Sequence, residues 1–235
     1  MTYHTHLSFL CFSISLVLFS TRSFAQTATQ AIYQLSPTDS TKTAQLWCYE
    51  DGSSFYFQNS QKAGTDTLQW VFNKPDEHSL YFKDFQFFSG KKTYRDSLPG
   101  PIWTIHSDSI RFLDGYQVTK ATANFRGRIY TAWYDESVDI KTGPWKLSGL
   151  PGLVRLAYSQ DGFAYFYLRN LTRNKTSPGS PVLPPITATY QDFTHDVKNW
   201  LEESNQEFMQ SYNKGKKKHA KASAVKYTIN LIEKL

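Results

Sequence analysis

The residues best suited to chemistry are Asp135, Glu136 and Asp139, which follow directly on Trp133-Tyr134. Paired carboxylates beside aromatic rings are what a glycosidase uses, one as general acid and the other as base or nucleophile. The same three acids also suit a solvated polar loop between two strands. Burial decides between the two readings, because a working carboxyl has to be perturbed. Metal chemistry has less support: His78, His106, His195 and His219 are scattered, with no HExxH or His-x-His spacing. The sequence has no Gly-x-Ser-x-Gly nucleophile turn and no phosphate-cradling glycine loop. No catalytic residue, metal ligand or cofactor is therefore assigned.

The aromatic residues around the acids carry a second kind of signal. Trp133, Tyr134 and Trp145 flank a connection rich in Pro and Gly. Indoles in such places serve as ligand or partner contacts, or they fill the core of a β domain. Trp133 and Tyr134 are neighbours on a strand and point to opposite faces. One of them faces the core, and the other is expected outside it, beneath the Pro144–Pro151 loop. Leu150-Pro151-Gly152-Leu153 has the chemistry of a type II turn, with Pro presetting φ and Gly supplying a positive φ. The candidate binding residues are thus Trp133, Tyr134, Asp135, Trp145, Leu150, Pro151, Gly152 and Leu153. Their loop is read either as a functional surface or as a structural latch.

Positioning these residues falls to strands. The chain is 16% aromatic, a composition that favours strand over helix. Strands are predicted at residues 30–35, 44–50, 54–58, 68–73, 80–88, 102–106, 109–113, 115–125, 128–134, 152–159 and 162–170. Asp51-Gly52, Asp114-Gly115 and Asp161-Gly162 supply tight hairpin turns between them. Asn174 to Pro185 holds four prolines and reads as an exposed loop. A helix is predicted over Asp192–Tyr212 from the stripe Phe193, Val197, Trp200, Leu201, Phe208 and Tyr212. Val225, Tyr227, Ile229 and Leu231 alternate as a last strand closing a sheet edge. The expected fold is mainly β: a curved antiparallel meander or partial barrel with one C-terminal amphipathic helix packed on it.

Several motifs in the middle of the chain occur together: Gly115-Tyr116, Lys120-Ala121, Phe125-Arg-Gly-Arg128, Ala132-Trp-Tyr134, Gly143-Pro-Trp145 and Gly149-Leu-Pro-Gly-Leu-Val154. This stretch resembles the GLPGLI family of exported bacterial proteins. Val154 stands where that family usually has isoleucine, and Asp135 where threonine is common. Asn230-Leu-Ile-Glu-Lys-Leu235 loosely matches the family's ending and lacks its proline. The resemblance implies an envelope protein of Bacteroidota-type bacteria, a family with no established activity.

The ends of the chain point to export as well. Residues 1–25 read as a signal peptide: a polar start, an apolar run from Phe9 to Phe19, and Ser23-Phe24-Ala25 before Gln26. The apolar run falls short of the roughly 20 residues a membrane-spanning helix needs. Residues 26–235 then form one domain, located in the periplasm, at the outer membrane or outside the cell. Cys48 is the single cysteine left in it, so no internal disulfide is possible. The net charge of +6 is concentrated in Lys214–Lys221. That run suits a solvated linker or a contact with anionic headgroups or acidic glycan, and no nucleic-acid partner is expected.

These readings favour a non-enzymatic binding module for an apolar ligand or an envelope partner protein. Two alternatives stand beside it. One is a carbohydrate-directed hydrolase using Asp135, Glu136 and Asp139; the other is a structural subunit docked on an outer-membrane complex through residues 144–154. A carrier needs an apolar-lined cavity, a hydrolase needs two of those acids in one cleft, and a docking subunit needs Leu150 and Leu153 exposed.

Overall fold

Two-residue turns join three successive alternating runs, 104–113, 116–125 and 128–135. Asp114 and Gly115 both adopt positive φ, 50° and 82°, and bring Leu113 opposite Tyr116. Arg126 and Gly127 do the same at 49° and 71°, bringing Phe125 opposite Arg128. Paired positive φ values match the right-handed twist of the flanking strands. The second turn has Arg126-Gly127 in place of Asp-Gly, and it falls at the break predicted between the strands 115–125 and 128–134.

The computed structural model describes residues 27–59, 68–83, 92–97, 100–183 and 187–215. Its strands are β1 (Thr27–Gln34), β2 (Thr43–Cys48), β3 (Ser54–Asn59), β4 (Leu68–Lys74), β5 (Ser79–Lys83) and β6 (Tyr94–Asp96). There follow β7 (Thr104–Leu113), β8 (Tyr116–Phe125), β9 (Arg128–Asp135), β10 (Leu153–Ser159), β11 (Tyr165–Thr176) and β12 (Ala188–Thr189), then helix α1 (Tyr190–Gly215). All belong to one sheet in the order β12-β6-β5-β4-β3-β2-β1-β11-β10-β9-β8-β7. Every pairing is antiparallel except β12 on β6. The fold is therefore mainly β, as the composition and periodicity imply.

The sheet curls until its own inner face becomes the core. Tyr56 on β3 meets Phe166 on β11 at 6.3 Å between ring centroids. The buried Tyr33 hydroxyl of β1 donates to the Val154 carbonyl of β10 at 2.8 Å. Ala31, Leu46, Val71, Leu80, Ala132 and Ala157 fill the space between, and Phe193 and Val197 of α1 cap it. These last two lie four residues apart on one helix face. The helix starts on a reciprocal cap: Thr189 Oγ1 accepts from the Asp192 amide at 3.1 Å, and Asp192 Oδ2 accepts from the Thr189 amide at 2.7 Å.

Some boundaries differ from the sequence reading. The predicted strands 102–106 and 109–113 merge into one strand, β7, which starts at Thr104 and shifts register between His106 and Ile110. Strand β11 continues to Thr176, so the proline-rich loop begins later than expected. Strands β6 and β12, of three and two residues, are too short to show a period. The predicted last strand at 225–231, most of the basic run and part of the predicted strand 80–88 lie outside the described residues. Among the described residues no helix is long and apolar enough to cross a membrane.

Candidate functional site

The loop from Gly143 to Gly152 folds inward. Trp145 is buried at a φ of 55° and packs on Phe125 and Tyr130, with centroids 6.0 and 6.1 Å away. A bulky residue in that region is an outlier, held here by its neighbours. Leu147, Leu150 and Leu153 all join the main core. Leu150 and Leu153 therefore offer no exposed apolar patch, and the geometry is that of a latch. The type II expectation for Pro151-Gly152 also gives way. Positive φ falls on Gly149, at 96°, and not on Gly152. Gly152 serves close approach instead, since a Cβ there would lie 2.3 Å from the Asp135 carbonyl oxygen.

The two adjacent aromatics divide as a strand requires, but the one beneath the loop is the inward residue and not, as expected, the outward one. Tyr134 is the residue beneath the loop, inside the core with Trp145 and Leu150. Trp133 faces out, and the Arg111 guanidinium lies 3.8 Å above its ring. Chain alternation settles that the two oppose one another, while the curl of the sheet selects which is inside.

Asp135 is 2% exposed and fully engaged. Arg155 donates to Oδ2 from Nε at 2.8 Å and Nη2 at 2.6 Å, while Ser137 donates to Oδ1 from its amide at 2.9 Å and its hydroxyl at 2.6 Å. The Arg155 guanidinium in turn stacks 3.4 Å from the Tyr116 ring centroid. Burial alone raises this carboxyl's pKa, but the bonds from Ser137 and Arg155 outweigh it, and the net shift is downward. Such an acid is a structural acceptor, not a proton donor near neutral pH. Because its folded pKa is depressed, the stability it contributes is fully present above its unfolded value of about 3.9 and is lost as pH falls through the folded value. The stability gap between wild type and Asp135→Asn in urea titrations is thus expected to be wide at pH 7 and to shrink steadily below about pH 4.

Glu136 is exposed and accepts from the Tyr134 hydroxyl at 3.0 Å. Asp139 lines a half-enclosed cleft of about 650 Å³ at one end of the sheet, which Asp135 and Glu136 do not line. Its walls come from separate segments: the start of β1, the turn after β2, the 3-10 turn at Pro75–Glu77, residues 139–142, Ser148-Gly149 of the latch, and Asn174 of β11. Glu50 and Asp139 supply carboxylates, His78 and Lys141 nitrogen bases, and Asn73 and Asn174 amides. Hydroxyls come from Thr27, Thr29, Ser53 and Ser148. Thr142 is tied to Ser54 of β3 by a 2.6 Å hydroxyl pair, which joins the latch side of the cleft to the sheet.

Four lining residues hold positive φ: Gly52 at 79°, His78 at 47°, Gly149 at 96° and Asn174 at 53°. The two non-glycine residues among them, His78 and Asn174, hold sparsely populated backbone of the kind that collects at functional sites. Cys48 borders the same cleft but is buried, and burial pushes its thiol up to about 12, so it is not a nucleophile at neutral pH. Of the eight residues proposed from sequence, none lines the cleft. Glu50, His78 and Lys141 carry no spacing signal because they lie on different segments. Their shared trait, a position at or beside a turn, is the clue the sequence does hold.

No family model matches this chain, and no curated protein sequence matches it. Its fold is similar to that of PNGF-II, solved in two space groups. The P21 structure aligns with a TM-score of 0.55 and 15% identity over 74% of this chain and 34% of the other. The C2 structure gives a TM-score of 0.52 and 13% identity over 74% and 33%. The chain spans about a third of the length of the structures it matches. At such identities the likeness is one of fold alone.

Proposed function

We propose that this chain is an exported, GLPGLI-type envelope domain that binds a polar ligand in the cleft formed by Glu50, His78, Asp139, Lys141 and their neighbours. The observation that carries this reading is the chemistry of the cleft wall. Carboxylate, imidazole, ammonium, amide and hydroxyl groups from separate segments converge on one space large enough for a small molecule or a short stretch of polymer. A carrier of an apolar ligand needs an apolar-lined interior, whereas the inner face of this sheet is filled by its own side chains, and the cleft wall sets its polar groups among apolar Ala28, Tyr49, Pro75 and Ile140. Convergent hydrogen-bonding groups favour a ligand with many donors and acceptors, such as an oligosaccharide or a polar peptide.

Substitution within the cleft tests this directly. An array of oligosaccharides and short peptides is expected to give ligands for the wild-type domain. Those ligands should bind at least about tenfold more weakly to Asp139→Ala and to His78→Gly, the loss of roughly one charge-assisted hydrogen bond. Neither change should move the melting temperature much, since both side chains are exposed. Ligands that bind both variants as well as wild type would place the site elsewhere.

A second reading rests on one observation, that Glu50 and Asp139 share the cleft wall. A hydrolase built on this fold would use that pair in preference to Asp135, whose oxygens are taken up by Arg155 and Ser137. Turnover of a bound ligand that Glu50→Gln abolishes, with binding retained, would select this reading over simple binding. The export part of the proposal has its own check: protein recovered from the cell envelope should begin at Gln26.

A further inference from the structure

The outer face of the sheet carries an aromatic cluster separate from the main core. Trp47, Tyr49, Phe55, Trp70, Phe72 and Tyr81 form it, and each is less than one-tenth exposed. Across this face runs the proline-rich segment that follows β11. Leu183 packs on the cluster, and the Ser177 hydroxyl donates to the Tyr49 hydroxyl at 3.5 Å. Side chains alternate along the segment: Ser177, Gly179, Pro181 and Leu183 are half-buried, whereas Pro178, Ser180 and Val182 are exposed.

This cover is held unlike any strand. Among the described residues, no backbone hydrogen bond joins residues 177–183 to the sheet. The Gly179 amide instead donates to the Ser177 hydroxyl at 2.8 Å. Pro178 and Pro181 have no amide hydrogen to offer. Few buried contacts and no ladder bonds mark a segment of low local stability. Beneath it the Trp47 ring is 4% exposed, and its indole N–H has no acceptor among the described residues. A buried donor left unmatched calls for an acceptor from elsewhere.

We propose that this aromatic face is a docking surface for an extended, proline-containing peptide with apolar side chains at alternate positions, and that residues 177–183 occupy it as a built-in competitor. The strap itself states the chemistry the surface accepts: an extended chain, an inward proline and leucine two residues apart, and no requirement for ladder pairing. Unlike the tethered strap, a free peptide can shift along the face until one of its backbone carbonyls accepts the Trp47 N–H, a bond the strap does not make. Affinity in trans is reduced by the fraction of molecules whose strap is closed.

The probe is a labelled peptide of residues 176–183, followed by fluorescence anisotropy on the full mature chain. Leu183→Asp, which removes the strap's apolar anchor, is expected to bind the peptide at least about tenfold more tightly than wild type. Adding Trp47→Phe to that variant, which keeps a ring and removes the N–H, should undo most of the gain. Equal or absent binding in wild type and Leu183→Asp would overturn the proposal. So would dimers of Leu183→Asp, which would mean strap exchange between copies. Should Leu183→Asp fail to fold, hydrogen exchange on the wild type decides. Amides at 177–183 should exchange far faster than those of β2 and β3, and faster still on adding the peptide, which displaces the strap. Strap protection equal to that of β3 would show a permanent cover.

Discussion

Asp96→Ala is expected to destabilise the domain by about 3–5 kcal/mol, the usual result of removing one partner from a buried ion pair. Asp96 is 1% exposed, and Arg126 Nη2 donates to both of its oxygens at 2.6 Å. Lys146, equally buried, donates from Nζ at 3.2 Å, and the same ammonium lies 3.7 Å from the centre of the Phe82 ring. The carboxylate thus gathers two cations that come from the β8–β9 turn and from the latch loop, and it sits itself on β6. Strand β6 lies far from β8, β9 and β10 in the strand order, so the cluster closes the curl of the sheet. Removing the carboxylate leaves both cations in a low-dielectric setting without it. Urea denaturation at pH 7 measures the cost. The exposed pair of Asp39 with Lys42 is the natural contrast, where the same truncation should have little effect.

Gly152→Ala is the second large effect, expected at about 3 kcal/mol or more. The added methyl would meet the Asp135 carbonyl oxygen at 2.3 Å and its carbon at 2.8 Å. Both are backbone atoms at the end of β9, so no side chain can swing aside to relieve the clash. Relief requires β9 and β10 to part where Leu153 pairs with Asp135, which also disturbs the Asp135–Arg155 pair. A melting temperature lower by roughly 6–12 °C is expected for a domain of this size. An unchanged melting temperature would mean that the loop does not press on β9, and the latch would then be no more than a surface turn.

Much of the fold is legible because its causes are local. Alternation along β1 to β4 and β8 to β11, the Asp114-Gly115 turn, and the four-residue spacing of Phe193 and Val197 all lie within short windows of sequence. What escapes depends on contacts across the sheet. Pro151-Gly152 reads as a type II turn from its own chemistry, while the contact with Asp135 that makes glycine necessary comes from another strand. The opposition of Trp133 and Tyr134 follows from the strand period, but their assignment to faces depends on which way the sheet curls. The acids after Trp133-Tyr134 form a genuine cluster in sequence. Burial then separates them, sending Asp135 to Arg155 and Asp139 to the cleft.

One signal was present and is easily passed over. Leu46-Trp47, Phe55-Tyr56 and Trp70-Val71-Phe72 are apolar on both faces, the mark of strands covered on two sides. Inner Leu46, Tyr56 and Val71 serve the main core, whereas outer Trp47, Phe55, Trp70 and Phe72 form the second cluster, on which Leu183 of the strap packs. A proline-rich segment is free to be an exposed loop only if nothing else has to cover that second face. The cleft had no comparable signal, because its groups are scattered along the chain and meet only when the turns do.

Amide chemical-shift mapping on the mature domain tests the polar-cleft reading most directly, with chitotriose, triglycine and decanoate titrated in turn. One or both polar probes should shift the amides of Ser53, His78, Ile140–Thr142 and Gly149, while decanoate leaves them in place. Shifts caused by decanoate at residues facing the inner core, with a cleft silent to both polar probes, would contradict the reading and restore the apolar carrier.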